Sequence, residues 1–247
     1  MVGIIDQTNR GMGRNVAYVQ KMAAQAGVEI THATGYYKEP FLPPECYTLT
    51  EQQLCDIMVK ELTEGMEGTG VRATVIGEIG TSKDITETEA KVFRAASRAH
   101  AETGAPICTH TTLGTRGLEQ LEIFKSFGVD LSRVVLSHID LSADLDYMKR
   151  LLDQGVNIAF DTIGKCNYQP DVSRADWLSR LCAEGYDTQI VMSMDITRRS
   201  NFEDRGGVGY SYLLDTFAPL ASEAGVPDRA WENLLYRNAL RIYKGQK

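Results

Sequence analysis

The sequence has 247 residues, of which 43% are hydrophobic and 24% are charged, which is ordinary for a globular protein. Its formal net charge of −7, without a Lys- or Arg-rich run, argues against nucleic acid or an anionic membrane as a partner, and no apolar stretch approaches a membrane span. The five cysteines are widely spaced without a Cys-x-x-Cys pair, which argues against a disulfide framework or a thiolate zinc site and predicts a cytoplasmic location.

Short apolar runs alternate with amphipathic segments along the whole chain. We predict seven strands, separated by helices whose apolar residues lie three and four positions apart. One helix is predicted over 145–152, and Thr86 begins another with a capping box that Glu89 completes. The predicted strands are Val2–Ile5, Val28–Ala33, Thr74–Ile79, Pro106–His110, Val134–His138, Asn157–Asp161 and Gln189–Asp195.

This alternation predicts an α/β fold with a parallel sheet. At this length, the expected architecture is a TIM-type (β/α)8 barrel that forms a single domain over residues 1–247. The alternative is an open doubly wound sheet, which would place a GxGxxG phosphate loop after its first strand. Residues 6–13 read DQTNRGMG and do not match that motif, so the barrel is preferred.

The third predicted strand carries a carboxylate in an apolar run, VIGEIG at residues 75–80. A charge in a buried strand is unfavourable, on the order of several kcal/mol, unless another group compensates it. A salt bridge to Arg or Lys is one explanation for Glu78. A bound divalent metal ion is the other, and it would compensate the charge more fully.

Polar side chains also end the later strands. His110 and His138 end the fourth and fifth strands, and Asp161 and Asp195 end the sixth and seventh. Catalytic groups of a barrel lie at strand ends, and these residue types suit Zn²⁺, Mn²⁺ or Fe²⁺. We predict one or two metal ions bound by Glu78, His110, His138 and Asp195. Glu78 would bridge two ions, and Asp195 would also accept a proton from the attacking water.

Five motifs in this order and spacing resemble a known family: GEIGTS, ICTHTT, VVLSHIDLS, FDTIG and MSMDITRRS. Together with TNRGMGRN and HATGYY, they resemble the phosphotriesterase-related family of the amidohydrolase superfamily, in particular the phosphotriesterase homology proteins. The resemblance implies a (β/α)8 barrel with two metals, usually zinc, that hydrolyses a lactone, phosphotriester or amide. It makes Glu78 the bridging carboxylate, matches His110 and His138 to the histidines of the more exposed metal, and matches Asp195 to the last-strand aspartate.

Other residues are candidates for contact with a small-molecule substrate. Tyr37 lies where lactone-hydrolysing relatives carry a tyrosine near the bound water, or it packs the loop above its strand. Lys165 and Arg198, with Arg199, are placed to hold an anionic group, or they are solvated charges at the rim. Relatives in this family are often dimers, so a homodimer is expected.

The sequence departs from the family at one point. Members carry a His-x-His pair at the end of the first barrel strand, and this sequence contains none. We therefore expect the first βα unit to be missing, and the chain to bind at most one metal well and to be a poor hydrolase. The alternative to a metal-dependent hydrolase is thus a catalytically impaired or non-catalytic metal- or ligand-binding barrel. A phosphate-binding barrel aldolase or isomerase, with a glycine-rich loop at 205–209, is a third hypothesis.

Overall fold

The structure is a computed structural model, and it describes residues 3–244. The start of the first predicted strand, Val2, lies outside the described residues. Seven strands occur where the sequence predicts them, with bounds that differ by at most three residues. They are β1 (Gly3–Asp6), β2 (Glu29–Thr34), β3 (Val75–Thr81), β4 (Ile107–Thr111), β5 (Val134–Ser137), β6 (Asn157–Phe160) and β7 (Ile190–Met192).

Helices separate the strands. The α-helices are α1 (Val16–Ala26), α2 (Glu45–Thr48), α3 (Glu51–Thr63), α4 (Glu87–Thr103), α5 (Gly117–Ser126), α6 (Leu145–Leu152), α7 (Asp171–Ala183), α8 (Ala218–Glu223) and α9 (Asp228–Glu232). Three π-helical segments follow β7, namely Leu213–Phe217, Asn233–Arg237 and Leu240–Lys244. Within residues 3–244, no helix is long and apolar enough to cross a membrane.

The strands form one seven-stranded sheet in chain order. The pairs β1–β2, β2–β3, β3–β4 and β6–β7 are parallel, and each connection between neighbours contains at least one helix or helical turn. The predicted α/β fold with a parallel sheet is therefore confirmed. The missing first βα unit stays a prediction from the sequence.

The chain divides into two compact units, and the single domain stays a prediction. The first unit comprises residues 1–112 and 116–135, and the second comprises residues 113–115 and 136–247. Strands β1 to β4 belong to the first unit, where Phe93 of α4 stacks on Phe124 of α5 with ring centroids 5.3 Å apart. Strands β6 and β7 and helices α6 to α9 belong to the second unit.

Local sequence signals account for where helices begin. Thr86 accepts a hydrogen bond from the N–H of Glu89, and the Glu89 side chain bonds back to the Thr86 main chain, which confirms the predicted capping box of α4. Asp144 accepts from the N–H of Tyr147 at 2.9 Å and caps α6, which has the predicted bounds. An N-terminal cap of this kind stabilises a helix by roughly 1 kcal/mol.

Candidate metal centre

Strand β3 presents Glu78 in an irregularity that requires glycine. Glu78 is half-buried, whereas every other residue of β3 is buried. The register with β4 shifts between Ile76 and Ile79, and Gly77 between them has φ +140°. A Cβ atom at Gly77 would lie 2.1 Å from the carbonyl oxygen of Cys108. Only glycine fits there, so Gly77 makes possible the bend that contains Glu78.

Strand β4 repeats the same pattern with a histidine. His110 is its one residue that is not buried, and the His110 Nδ1 atom lies 4.0 Å from Glu78 Oε1. The hydroxyl of Tyr37 lies 3.0 Å from His110 Nδ1, and the two rings meet edge to face at 4.8 Å. The Gly80 N–H donates to the Tyr37 carbonyl at 3.1 Å. Tyr37, a predicted substrate residue, therefore contacts a predicted metal ligand.

The segment after β1 holds the main chain at Glu78. The side-chain amide of Asn9 is buried and donates to the Glu78 carbonyl oxygen at 2.6 Å. The next residue, Arg10, pairs with Glu45 at 2.7 Å and with Glu61 at 2.8 Å. The TNRGMGRN motif contributes to the family resemblance, but nothing in its letters predicts that Asn9 contacts the main chain of Glu78.

His138 is positioned by a carboxylate rather than by a strand. It follows β5 with φ +63°, and its side chain is almost fully buried. Oδ1 of Asp161 accepts from the His138 main-chain N–H at 2.9 Å and lies 2.8 Å from His138 Nδ1. A carboxylate at Nδ1 keeps a proton on that atom and leaves the Nε2 lone pair as the ligand. The sequence placed Asp161 at a strand end but assigned it no role.

Asp195 and Lys165 form an ion pair. Strand β7 ends at Met192, three residues before its predicted end, so Asp195 lies in the following loop with φ +46°. The Lys165 ammonium donates to Asp195 Oδ2. Burial raises the pKa of Asp195 above its ordinary value, although the Lys165 ammonium opposes this shift. The structure therefore pairs Asp195, the predicted proton acceptor, with Lys165, a residue predicted to bind substrate. The remaining candidate, Arg198, is exposed.

Glu78, His110 and His138 form a cluster that fits a metal ion. Each residue offers one ligand atom, and the three atoms lie within 4.8 Å of one another. One carboxylate and two imidazoles are donors that zinc accepts, and a catalytic zinc takes three protein ligands and keeps a position for water. Within residues 3–244, Asp195 is not a member of this cluster. Its predicted role as a ligand stays a prediction.

The other two histidines have local partners. His32 Nε2 lies 2.9 Å from the side-chain amide of Gln20. His100 Nδ1 lies 2.8 Å from the Ala105 carbonyl oxygen, and its Nε2 accepts from the Asp130 N–H at 3.3 Å. Both rings are buried within the first unit, and within residues 3–244 neither belongs to the cluster.

Comparison with known proteins identifies the family. The model of the phosphotriesterase family matches residues 1–243. The chain belongs to the phosphotriesterase family. It is 42% identical to the phosphotriesterase homology protein of Escherichia coli K12, over 98% of this chain and 83% of that protein. The crystal structure of the Escherichia coli protein, complexed with phosphate in its active site, matches with a TM-score of 0.95.

Two further proteins that resemble this chain are named as hydrolytic enzymes. The N-acetyltaurine hydrolase of Danio rerio is 31% identical over 96% of this chain and 72% of its own length. A lactonase from Listeria monocytogenes is 29% identical, with 100% of this chain and 82% of that chain covered and a TM-score of 0.93. The chain is therefore an enzyme of this family, a metal-dependent hydrolase, and the aldolase hypothesis is set aside.

Proposed function

We propose that this protein is a zinc hydrolase that cleaves an ester, lactone, phosphoester or amide bond of a small molecule. The observation that carries the proposal is the cluster of Glu78, His110 and His138, whose ligand atoms lie within 4.8 Å of one another. These three residues would hold one zinc ion, and Asp161 supports that role because it orients His138. The proposal concerns one ion, since the cluster contains three ligand residues.

The chemistry needs an activated water and a group that moves its proton. A zinc ion bound at this cluster would lower the pKa of a bound water to about 7. We assign to Asp195 the acceptance of a proton from the water as its oxygen attacks the scissile carbon or phosphorus. The bond to the leaving oxygen or nitrogen then breaks, and Asp195 returns the proton to the leaving group. The ion pair with Lys165 supports this role by fixing the carboxylate.

An anionic group on the substrate is part of the proposal. Lys165 brings a half-buried cation to Asp195, and Arg198 adds an exposed cation three residues after Asp195. The related Escherichia coli protein holds phosphate in its active site, which supports an anion site in the family. Tyr37 is proposed as a further substrate contact because its hydroxyl lies beside His110.

The barrel belongs to the same proposal. We infer a TIM-type (β/α)8 arrangement for the sheet, which is supported by sequential parallel strands and by TM-scores of 0.93 and 0.95 with solved relatives. A homodimer and a cytoplasmic location stay predictions from the sequence.

A panel assay tests the activity. The purified protein is stripped with a chelator, reloaded with zinc, manganese or iron, and assayed with lactones, N-acyl amides, carboxylic esters and phosphotriesters, each with and without an anionic substituent. We expect turnover of at least one class, lost on chelation and restored best by zinc. Folded, zinc-loaded protein that hydrolyses no class would favour the non-catalytic binding alternative.

A further inference from the structure

A fully buried guanidinium occupies the second unit and has no role in the reaction as described above. Arg174 of α7 has a side chain with 0% exposure and is the largest of the fully buried side chains described in the structure. It pairs with Asp140 at 2.7 Å and with Asp171 at 2.8 Å. Buried ion pairs contribute little net stability compared with well-packed apolar residues, and in some proteins they instead fix the geometry of the groups that they join.

One arm of the network leads to the His138–Asp161 pair. Asp140 follows His138 by two residues, and Thr162 directly follows Asp161. Oδ2 of Asp140 accepts from the Thr162 hydroxyl at 2.6 Å and from Arg174 Nε at 2.7 Å. The Arg174 Nη2 atom also donates to the Thr162 hydroxyl oxygen at 2.7 Å. The turns after β5 and β6 are thus joined next to the residues that orient the candidate metal ligand.

The other arm leads to Lys165. Both carboxylate oxygens of Asp171 accept from the Gly164 N–H at 3.2 Å, and Oδ2 also accepts from the Tyr212 hydroxyl at 3.0 Å. A Cβ atom at Gly164 would lie 3.1 Å from the Tyr212 ring, so ring and turn are in close contact. Burial, with the hydrogen bond to Asp171, raises the pKa of Tyr212 to about 12, so its hydroxyl remains a donor at neutral pH. The turn that carries Lys165 is thereby held from two sides.

We propose that Arg174 is a positioning residue of the active site, with two separable effects. Through Asp140 it keeps the His138–Asp161 pair in place for the metal ion, and through Asp171 it keeps Lys165 in place for the anionic group of the substrate. The inference rests on the proposed function and adds to it. Arg174 acts through other residues, since its hydrogen-bond partners within residues 3–244 are two carboxylates, a hydroxyl and a carbonyl.

The arm to Lys165 is tested with Tyr212→Phe, which removes one hydroxyl and keeps the ring against Gly164. Calorimetric titration with inorganic phosphate measures the anion site, and titration with zinc measures the metal site. We expect the phosphate Kd to rise about three- to tenfold, which is the size of effect expected for loss of one typical hydrogen bond, with the zinc Kd unchanged. The matched control is Tyr236→Phe, an exposed tyrosine of the same unit, for which both constants should stay the same.

The arm to His138 is tested with Asp140→Asn, which keeps the shape of the side chain and removes its charge. We expect the zinc Kd to rise about tenfold or more, in the range typical of outer-shell partners of a metal ligand, and the phosphate Kd to change less. Arg174→Lys keeps the charge but lacks the planar fork that reaches several acceptors at once. In folded Arg174→Lys protein, both the zinc Kd and the phosphate Kd should therefore be higher than in wild type.

The zinc Kd and the phosphate Kd together distinguish a positioning role of Arg174 from a purely stabilising one. If Tyr212→Phe and Asp140→Asn lower the melting temperature but leave both Kd values within twofold of wild type, Arg174 is only structural and the proposal is wrong. A wild-type protein that binds zinc and phosphate without any turnover would contradict the proposed function, while the Kd comparison would still decide the positioning role. A folded wild type that binds neither would overturn both.

Discussion

The two units hold their candidate metal ligands by different means. In the first unit, Glu78 and His110 lie inside β3 and β4, where the hydrogen-bonded ladder between strands sets the main chain. In the second unit, His138 and Asp195 follow their strands with φ of +63° and +46°. There, the carboxylate of Asp161 and the ammonium of Lys165 do the positioning.

The difference teaches which residues the candidate ligands of each unit depend on. A ligand inside a strand depends on the backbone, which most single substitutions leave intact. A ligand beyond a strand depends on one or two charged side chains, so the loss of one partner should displace it. Substitutions of partners should therefore be more damaging in the second unit than in the first, whereas substitutions of the ligands themselves should be equally severe in both.

Removal of either histidine from the cluster should have the largest effect. We expect His110→Ala and His138→Ala each to lose zinc and to lower kcat/KM by more than about 100-fold, since loss of an outer-shell partner alone costs about 10- to 100-fold. Zinc per folded chain is measured by plasma mass spectrometry. The control is His32→Gln, a buried histidine of the first unit outside the cluster, which should keep its zinc. If the two alanine variants lost different amounts of zinc, the expectation that ligand substitutions are equally severe in both units would be wrong.

Removal of the carboxylate at His138 should come next. We expect Asp161→Asn to raise the zinc Kd by about 10- to 100-fold, because the amide no longer fixes the proton on His138 Nδ1. Competition with a chromophoric chelator measures this Kd. Asp176→Asn, at an exposed position on α7 of the same unit, serves as the control and should leave the Kd unchanged. An unchanged zinc Kd in Asp161→Asn would show that the turn after β5 needs no carboxylate.

The corresponding change in the first unit should be milder. Asn9→Ala removes the amide that donates to the Glu78 carbonyl oxygen at 2.6 Å. We expect stability to fall by about 1 to 2 kcal/mol, as for a buried acceptor left without this partner, and the zinc Kd to rise less than about threefold. Denaturant unfolding and the chelator competition measure the two quantities. A zinc Kd that rises as much as in Asp161→Asn would remove the contrast between the units.

The smallest effect on the metal should come from the ion network at Glu61. This carboxylate accepts from Arg14 and from the Thr34 hydroxyl, each at 2.6 Å. Burial alone would raise the pKa of Glu61, but these bonds outweigh it and the pKa lies below its ordinary value. A lowered folded-state pKa contributes stability above the unfolded value of about 4.3, and this contribution is lost as pH falls through the folded value.

Glu61→Gln should therefore be less stable than wild type at pH 7 by roughly 3 kcal/mol and should lose less further stability between pH 5 and 3. Urea unfolding at a series of pH values measures this, with the exposed Glu122→Gln as the control. The zinc Kd at pH 7 should not change. If the free energy of unfolding fell equally between pH 5 and 3 in Glu61→Gln and in wild type, the lowered pKa of Glu61 would be contradicted.

Much of the fold could be predicted because its signals are local. Most strands are short runs rich in apolar residues, and the capping box at Thr86 lies within four residues, so both are visible in the sequence. Glu78 could be singled out because a charge inside the run VIGEIG needs a partner. The end of β7 was predicted three residues too late because Met194 continues the apolar pattern after the ladder has stopped at Met192.

The partners of the site were harder to predict. Asp161 lies 23 residues from His138, Lys165 lies 30 residues from Asp195, and Arg174 lies 34 residues from Asp140. Pairing between such distant side chains leaves no periodicity in the sequence. Strand-end acids point to a shared rim, but which of them orients a histidine and which pairs with a lysine depends on turn geometry.

Zinc binding and turnover measured in the same samples test the central claim most directly. Metal-stripped wild type and Glu78→Gln are titrated with zinc, and bound zinc and hydrolysis of the best substrate from the panel are recorded at each point. We predict that wild-type turnover rises with bound zinc and stops rising at one ion per chain, and that Glu78→Gln gains neither zinc nor turnover. Equal zinc uptake by folded Glu78→Gln, or wild-type turnover that does not follow bound zinc, would contradict the account.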